Sequence, residues 1–107
     1  MRNLSKYRAV KTVVDGLKFD SKAEAKRYLE LKALQQSGVI ADLELQKEFE
    51  LIPKQPGERA TKYKADFVYR NSTGLVVEDV KGFLTPEYRI KRKLLLWVHG
   101  VRISEVR

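Results

Sequence analysis

Two short apolar runs constrain this chain most: Tyr63-Lys64-Ala65-Asp66-Phe67-Val68-Tyr69 and Leu75-Val76-Val77-Glu78-Asp79-Val80-Lys81. Both read as strands, and Asn71-Ser72-Thr73-Gly74 between them reads as the turn of a hairpin. Folded about its centre, that hairpin sets Asp66 opposite Asp79 and Lys64 opposite Lys81. Like charges directly opposite one another on a sheet face repel. Aspartate is also disfavoured within strands, yet both aspartates interrupt the most strand-like parts of the chain. A divalent cation between the carboxylates and a phosphate near the lysines would compensate both repulsions. A slip of one residue would separate the acids and put Glu78 on that face instead of Asp79.

The rest of the chain supplies the surroundings of this hairpin. Ser21 is a good N-cap with Glu24 at the capping-box position, and Gly38 closes the element, so a helix is predicted from near Ser21 to about Ser37. Its inward stripe is Tyr28, Leu31 and Leu34 or Gln35. Leu43 to Ile52 reads as a strand closed by Pro53. Its alternation places Leu43, Leu45 and Lys47 on one face and Glu44, Gln46 and Glu48 on the other. Pro56-Gly57 marks a loop. Thr85 as N-cap with Pro86 at the first helical position opens a second helix, for which Ile90, Leu94, Trp97 and Val98 are the predicted buried stripe. Gly100 ends it, and Val101 to Val106 reads as a last strand.

The resulting order is helix-strand-strand-strand-helix-strand. Three meandering strands followed by a helical crossover predict an α/β, mixed α+β fold, with a mixed sheet flanked by helices. Residues 1–15, which carry Arg2, Lys6, Arg8 and Lys11 and no acid before Asp15, read as a basic N-terminal arm or edge hairpin. Residues 16–107 read as a single domain.

Composition narrows the function. Twenty-two Lys and Arg against 14 Asp and Glu give a formal net charge of +8, which points to a polyanionic partner. Cysteine is absent, which excludes disulfides and thiolate metal sites, and a lone histidine leaves no zinc finger. No Gly-x-x-x-x-Gly-Lys phosphate loop is present, so an ATP-driven motor is not expected. No apolar run approaches the length of a membrane span and no signal-peptide core opens the chain, so a cytoplasmic protein with no membrane partner is expected.

Two carboxylates within a few ångströms suit a hard cation such as Mg²⁺, which takes oxygen ligands and keeps several waters. Asp79 and Lys81 share a strand face, and the lysine could orient a water or stabilise charge on a phosphoryl group. Arg89 and Lys93, on a helix that opens four residues after Lys81, are candidates for phosphate contact, together with Lys64 and the arm residues Arg8 and Lys11. His99, beside Gly100, reads as a cap or surface residue.

Asp66, twelve intervening residues, then Asp79-Val80-Lys81 matches the bipartite Asp…(Asp/Glu)-x-Lys signature. With the element order and Glu24 on the first helix, the chain resembles the PD-(D/E)xK nuclease superfamily. In plan it is similar to the phage junction-resolving endonucleases of that superfamily. Ala65 stands where that signature often has proline. The resemblance implies a restriction-endonuclease-like core and a Mg²⁺-dependent endodeoxyribonuclease, with Mn²⁺ able to substitute. It implies catalytic roles for Asp66, Asp79, Lys81 and Glu24. The metal ligands it implies are Asp66, Asp79, the Val80 carbonyl and, for a second ion, Glu24. Products would carry 5′-phosphates. The substrate would be DNA, branched or junction DNA foremost, in a phage or mobile-element setting of replication or recombination inside a bacterial host. A homodimer would supply two active sites for cutting two strands. The alternative is a non-enzymatic nucleic-acid-binding module on the same fold.

Overall fold

The first helix, α1 (Lys22–Gln36), begins where its cap residues dictate: the Ser21 hydroxyl accepts a hydrogen bond from the Glu24 backbone N–H at 3.1 Å. It ends at Ser37, and Gly38 follows at φ +85°, a left-handed conformation that glycine adopts without a Cβ clash. In the computed structural model, which describes residues 10–80 and 84–107, α1 is preceded by a small hairpin of β1 (Thr12–Val14) and β2 (Leu17–Phe19). Its two-residue turn, Asp15-Gly16, has both φ angles positive, as the type I′ turns favoured by Asp-Gly require. The described part of the N-terminal stretch is therefore hairpin, and Phe19 from it enters the core.

After α1 come β3 (Ala41–Ile52), β4 (Thr61–Asn71), β5 (Gly74–Val80), α2 (Pro86–His99) and β6 (Ile103–Val106). The sheet order is β3-β4-β5-β6, antiparallel except for β5 and β6, which pair in parallel. Parallel neighbours need a crossover, and α2 supplies it. The fold is mixed α+β, with two helices and a mixed four-stranded sheet among the described residues. No helix of the described residues is long and apolar enough to cross a membrane.

The hairpin register is the symmetric one: Phe67 pairs with Glu78, Val68 with Val77 and Asn71 with Gly74. At the tip, the Asn71 side chain accepts from the Thr73 backbone at 2.9 Å, an Asx turn that fixes the loop length. Successive strand residues point to opposite faces, so each strand feeds two cores. Phe67 and Tyr69 pack with Ala25, Tyr28 and Leu31 of α1. Val68 and Val77 pack with Tyr88 and Leu95 of α2. Along β3, Leu43 and Leu45 pack against the first cluster, but Phe49, of the same parity, packs against the second, so strict alternation does not run through Gln46, whose φ is +56°.

The stripe predicted for α2 is corrected. Leu94 is half-buried, but Ile90 is 59% exposed, Val98 45% and Trp97 83%. The helix is turned so that Tyr88 and Leu95 meet the sheet. The reason lies in the polar tips on that side. Tyr88 donates to Glu105 at 2.7 Å, Arg92 donates to the same carboxylate at 2.8 Å, and its guanidinium lies 5.7 Å from the Tyr88 ring centroid. His99 also faces the sheet, 2.6 Å from the Glu50 carbonyl, with its ring edge-on to Phe49. Amphipathic side chains thus occupy positions that a purely apolar count assigns to the solvent side.

Candidate functional site

Three acidic side chains from three elements approach one another at the end of the β4–β5 pairing. Asp79 on β5 is 3% exposed, and Glu24 in the first turn of α1 is 6% exposed. Asp66 on β4 is half-buried and close enough to Asp79 to feel its charge. The strand register brings the two aspartates together, and α1, packed on the sheet, brings Glu24.

Each carboxylate is held by named donors. Asp66 Oδ2 accepts from the Val80 backbone N–H at 2.8 Å, and its Oδ1 lies 3.4 Å from Gln46 Nε2. The same Gln46 amide donates to Glu24 Oε2 at 3.0 Å. Tyr63 donates its hydroxyl to Asp79 Oδ2 within the core. Glu24 does not close a capping box onto Ser21. Its carboxylate takes the Gln46 amide and a backbone hydrogen bond at Asp20 instead.

The electrostatics follow from crowding like charges in a dry place. Burial pushes the Asp66 carboxyl up to about 7, and the charges of Asp79 and Glu24 add to that, against the lowering effect of the Val80 N–H. Glu24 is also raised, first by burial and then by the charge of Asp20, with Asp79 contributing. The Tyr63 hydroxyl is raised by burial and by Asp79, so it stays a proton donor.

Gln46 is the clearest local irregularity. It stands opposite Asp66, between the pairs Leu45–Phe67 and Lys47–Ala65, with φ +56°. A non-glycine residue in the left-handed region costs about 1–2 kcal/mol. That strain turns its amide toward both Asp66 and Glu24. The alternation of β3 had put Gln46 on a face that could reach the site, together with Glu48. Glu48 instead is exposed, 3.6 Å from Lys62.

Glu78 points to the other side of the sheet and is 2% exposed. Arg27 grips it through two hydrogen bonds, Nε to Oε1 at 2.8 Å and Nη2 to Oε2 at 2.6 Å, and the Tyr69 hydroxyl donates to it as well. Burial and this bond lift the Tyr69 hydroxyl to about 12. The clamp fixes which acid of the Glu78-Asp79 pair faces Asp66, so the slipped register has no support. Arg27, Tyr63 and Tyr69 were missed in the sequence. The available signal was an acid embedded in Val76-Val77-Glu78, which demands a partner.

The remaining candidates separate. Lys81 and Arg8 lie outside the described residues. Val80 presents its N–H to Asp66. Lys64 is exposed across from Glu48 on β3, and Arg89 and Lys93 are exposed on α2; none of the three has an ion pair among the described residues. Lys11 is exposed, 3.6 Å from Asp20, whose charge acts on Glu24.

Among the described residues no group of three or more His, Cys, Asp or Glu is close enough to hold a metal ion together. The neighbouring pair Asp66 and Asp79 nonetheless fits a hard divalent cation. Mg²⁺ sites commonly use one or two carboxylates and leave the remaining positions to water and substrate phosphate. A cation there would offset the same crowding of charge that raises the Asp66 carboxyl.

No curated protein and no solved structure matches the chain. A family model does, over residues 4–103, which takes in both helices and the whole acidic cluster. The chain belongs to the family described as "Protein of unknown function (DUF1064)".

Proposed function

We propose that this protein is a divalent-metal-dependent endonuclease that hydrolyses DNA phosphodiester bonds, with Asp66, Asp79 and Glu24 as its acidic centre. The observation that carries this reading is the gathering of buried Glu24 and Asp79 and half-buried Asp66 from α1, β5 and β4, with Asp66 pushed up to about 7. A fold gains no stability from neighbouring carboxylates drawn out of water, and perturbed groups of this kind concentrate at functional sites. The element order from α1 to β6 also agrees with the core implied by the PD-(D/E)xK resemblance.

A divalent cation bound by Asp66 and Asp79 would neutralise a phosphate oxygen and lower the pKa of a bound water. The chain's own residues prepare that site. The Val80 N–H and the Gln46 amide orient Asp66, Tyr63 fixes Asp79, and Gln46 ties Glu24 to the same cluster. The Val80 carbonyl would be the third ligand, and Lys81 would be the catalytic lysine that stabilises charge on the phosphoryl group. Attack on phosphorus with loss of the 3′-oxygen leaves a 5′-phosphate and a 3′-hydroxyl. Lys64, Arg89, Lys93, Lys11 and Arg8 supply phosphate contacts. Branched or junction DNA is the leading substrate, and two copies would cut two strands.

The test is direct. Linear, flapped and four-way DNA are incubated with the purified protein, with and without Mg²⁺ or Mn²⁺. Metal-dependent cleavage is expected, and Asp79→Ala should abolish it while DNA affinity stays within about threefold. Binding without cleavage of any substrate would make the protein a binding module, and undiminished cleavage by Asp79→Ala would remove the assigned centre.

A further inference from the structure

The outer face of α2 carries an apolar strip with no partner among the described residues. Trp97 is 83% exposed and Ile90 59%, both on the side away from Tyr88 and Leu95. Arg89, Lys93 and Trp97 follow one another at four-residue steps, so their side chains are neighbours along a single ridge. Neither Arg89 nor Lys93 has an ion pair among the described residues, whereas Lys91 and Arg92, nearer the sheet, are engaged by Glu87 and Glu105. Glu87 is the only acid of the helix and is held by Lys91 at 3.1 Å. Beside the ridge lies a groove of about 390 Å³ between α2 and β6, to which Lys93, Leu96 and Arg102 contribute.

We infer that this ridge binds unpaired DNA bases, with Trp97 as the stacking platform and Arg89 and Lys93 on the flanking phosphates. The inference rests on the nuclease reading for its polymer and adds the substrate class: DNA with a single-stranded or splayed segment. Charge decides the occupant. A second copy seated face to face would bring two sets of Arg89 and Lys93 into one interface without a free acid, a like-charge arrangement that disfavours association. A nucleic acid strand offers what the ridge lacks, anionic phosphates alternating with flat apolar bases. Intact duplex hides those base faces in its stack, whereas single strands expose them to aromatic side chains. The first turn of α2, though not the ridge itself, adjoins the acidic cluster. Tyr88, in the first turn of α2, is close enough to feel the charge of Asp79. Nine residues along the helix, Trp97 lies about 13 Å further on.

Trp97 is the only tryptophan, so its emission reports this face alone. The wild-type chain, in EDTA so that no cleavage occurs, is titrated with a twelve-nucleotide oligo(dT), a blunt duplex of equal length, and a splayed-arm duplex. Saturable quenching by the first and third, and little by the blunt duplex, is expected. Trp97→Ala should weaken oligo(dT) binding about tenfold by anisotropy of labelled DNA, with Trp97→Phe retaining most of it. Lys93→Gln should weaken binding and lower its salt dependence. Trp97 is too exposed for its removal to threaten folding. Emission unchanged by any DNA, or quenched equally by blunt duplex, would overturn the inference. So would emission that shifts to the blue with protein concentration and ignores DNA, which would give the face to a second copy. Cleavage enters none of these readings. An active nuclease with an indifferent Trp97 would sink this inference alone, and an inactive protein with a quenched Trp97 would sink only the enzymatic reading.

Discussion

Asp66 shows how one side chain can work against the fold that positions it. In the unfolded chain its carboxyl titrates near the ordinary value of 3.8, and in the folded chain burial moves it up to about 7. The folded state therefore binds the proton more tightly. The stability this group contributes is full below about pH 4 and is lost as pH rises to about 7. Glu24, also raised, acts in the same direction, while the lowered Asp15 and Glu105 act in the opposite one. The contribution of Asp66 is thus isolated by difference. In metal-free buffer, Asp66→Asn should melt about 4 °C or more above the wild type at pH 7.5, an advantage that fades by pH 4.5. Thermal scans across that range would check it, and equal melting at pH 7.5 would refute the raised carboxyl. The same variant should lose metal-dependent cleavage, the trade between stability and function expected where like charges are forced together. This convergence was legible in the sequence because strand pairing is symmetric about its turn. Gln46 as the shared donor was only half legible, since alternation gave its face but nothing announced its positive φ.

Elements in this fold are locked by polar pairs between residues far apart in sequence, and these are what sequence reading missed. Helix caps are local, so Ser21, Gly38, Thr85 and Pro86 announced both helices within a residue or two. The burial of α2 is not local. Ile90, Trp97 and Val98 carry the hydrophobicity, but Tyr88, Arg92 and His99 find partners on β6 and β3 that no helical pattern encodes. The Arg27–Glu78 pair, 51 residues apart, belongs to the same class. It joins α1 to β5, and through α1 it sets the position of Glu24. Removing one partner of a buried pair leaves a stranded charge and costs about 3–5 kcal/mol, whereas apolar replacement of both is often near neutral. Arg27→Met should therefore destabilise the protein by about 3 kcal/mol. The double variant Arg27→Met, Glu78→Leu should recover most of that loss in urea unfolding, unless the Tyr69 hydroxyl, deprived of its acceptor, keeps part of the cost. A double variant no more stable than the single one would mean that the pair is not the joint between helix and sheet.

At the scale of the whole molecule, three acids are drawn into the interior while many cations stay outside without an ion pair among the described residues. Glu24, Glu78 and Asp79 are buried, while Lys18, Lys22, Lys26, Lys54, Arg59, Lys64, Arg70, Arg89, Lys93 and Arg102 have no ion pair among the described residues. With a net charge of +8, such a surface attracts a polyanion without reading its sequence. Each phosphate neutralised releases a counterion, so a footprint of about five contacts gives a slope near −4.5 in log K against log salt. Raising salt from about 50 to about 200 mM should then weaken DNA binding by about 500-fold, measured by anisotropy without metal. The slope also divides the surface. Neutralising Arg89 or Lys93 should reduce it by about one each, the change expected if each meets one phosphate as proposed. Asp79→Ala should leave it within about half a unit, since a buried acid touches no counterion of the DNA. A slope near zero, or one that shifts with Asp79→Ala and not with Arg89→Gln, would place the DNA elsewhere than across the acidic cluster and α2.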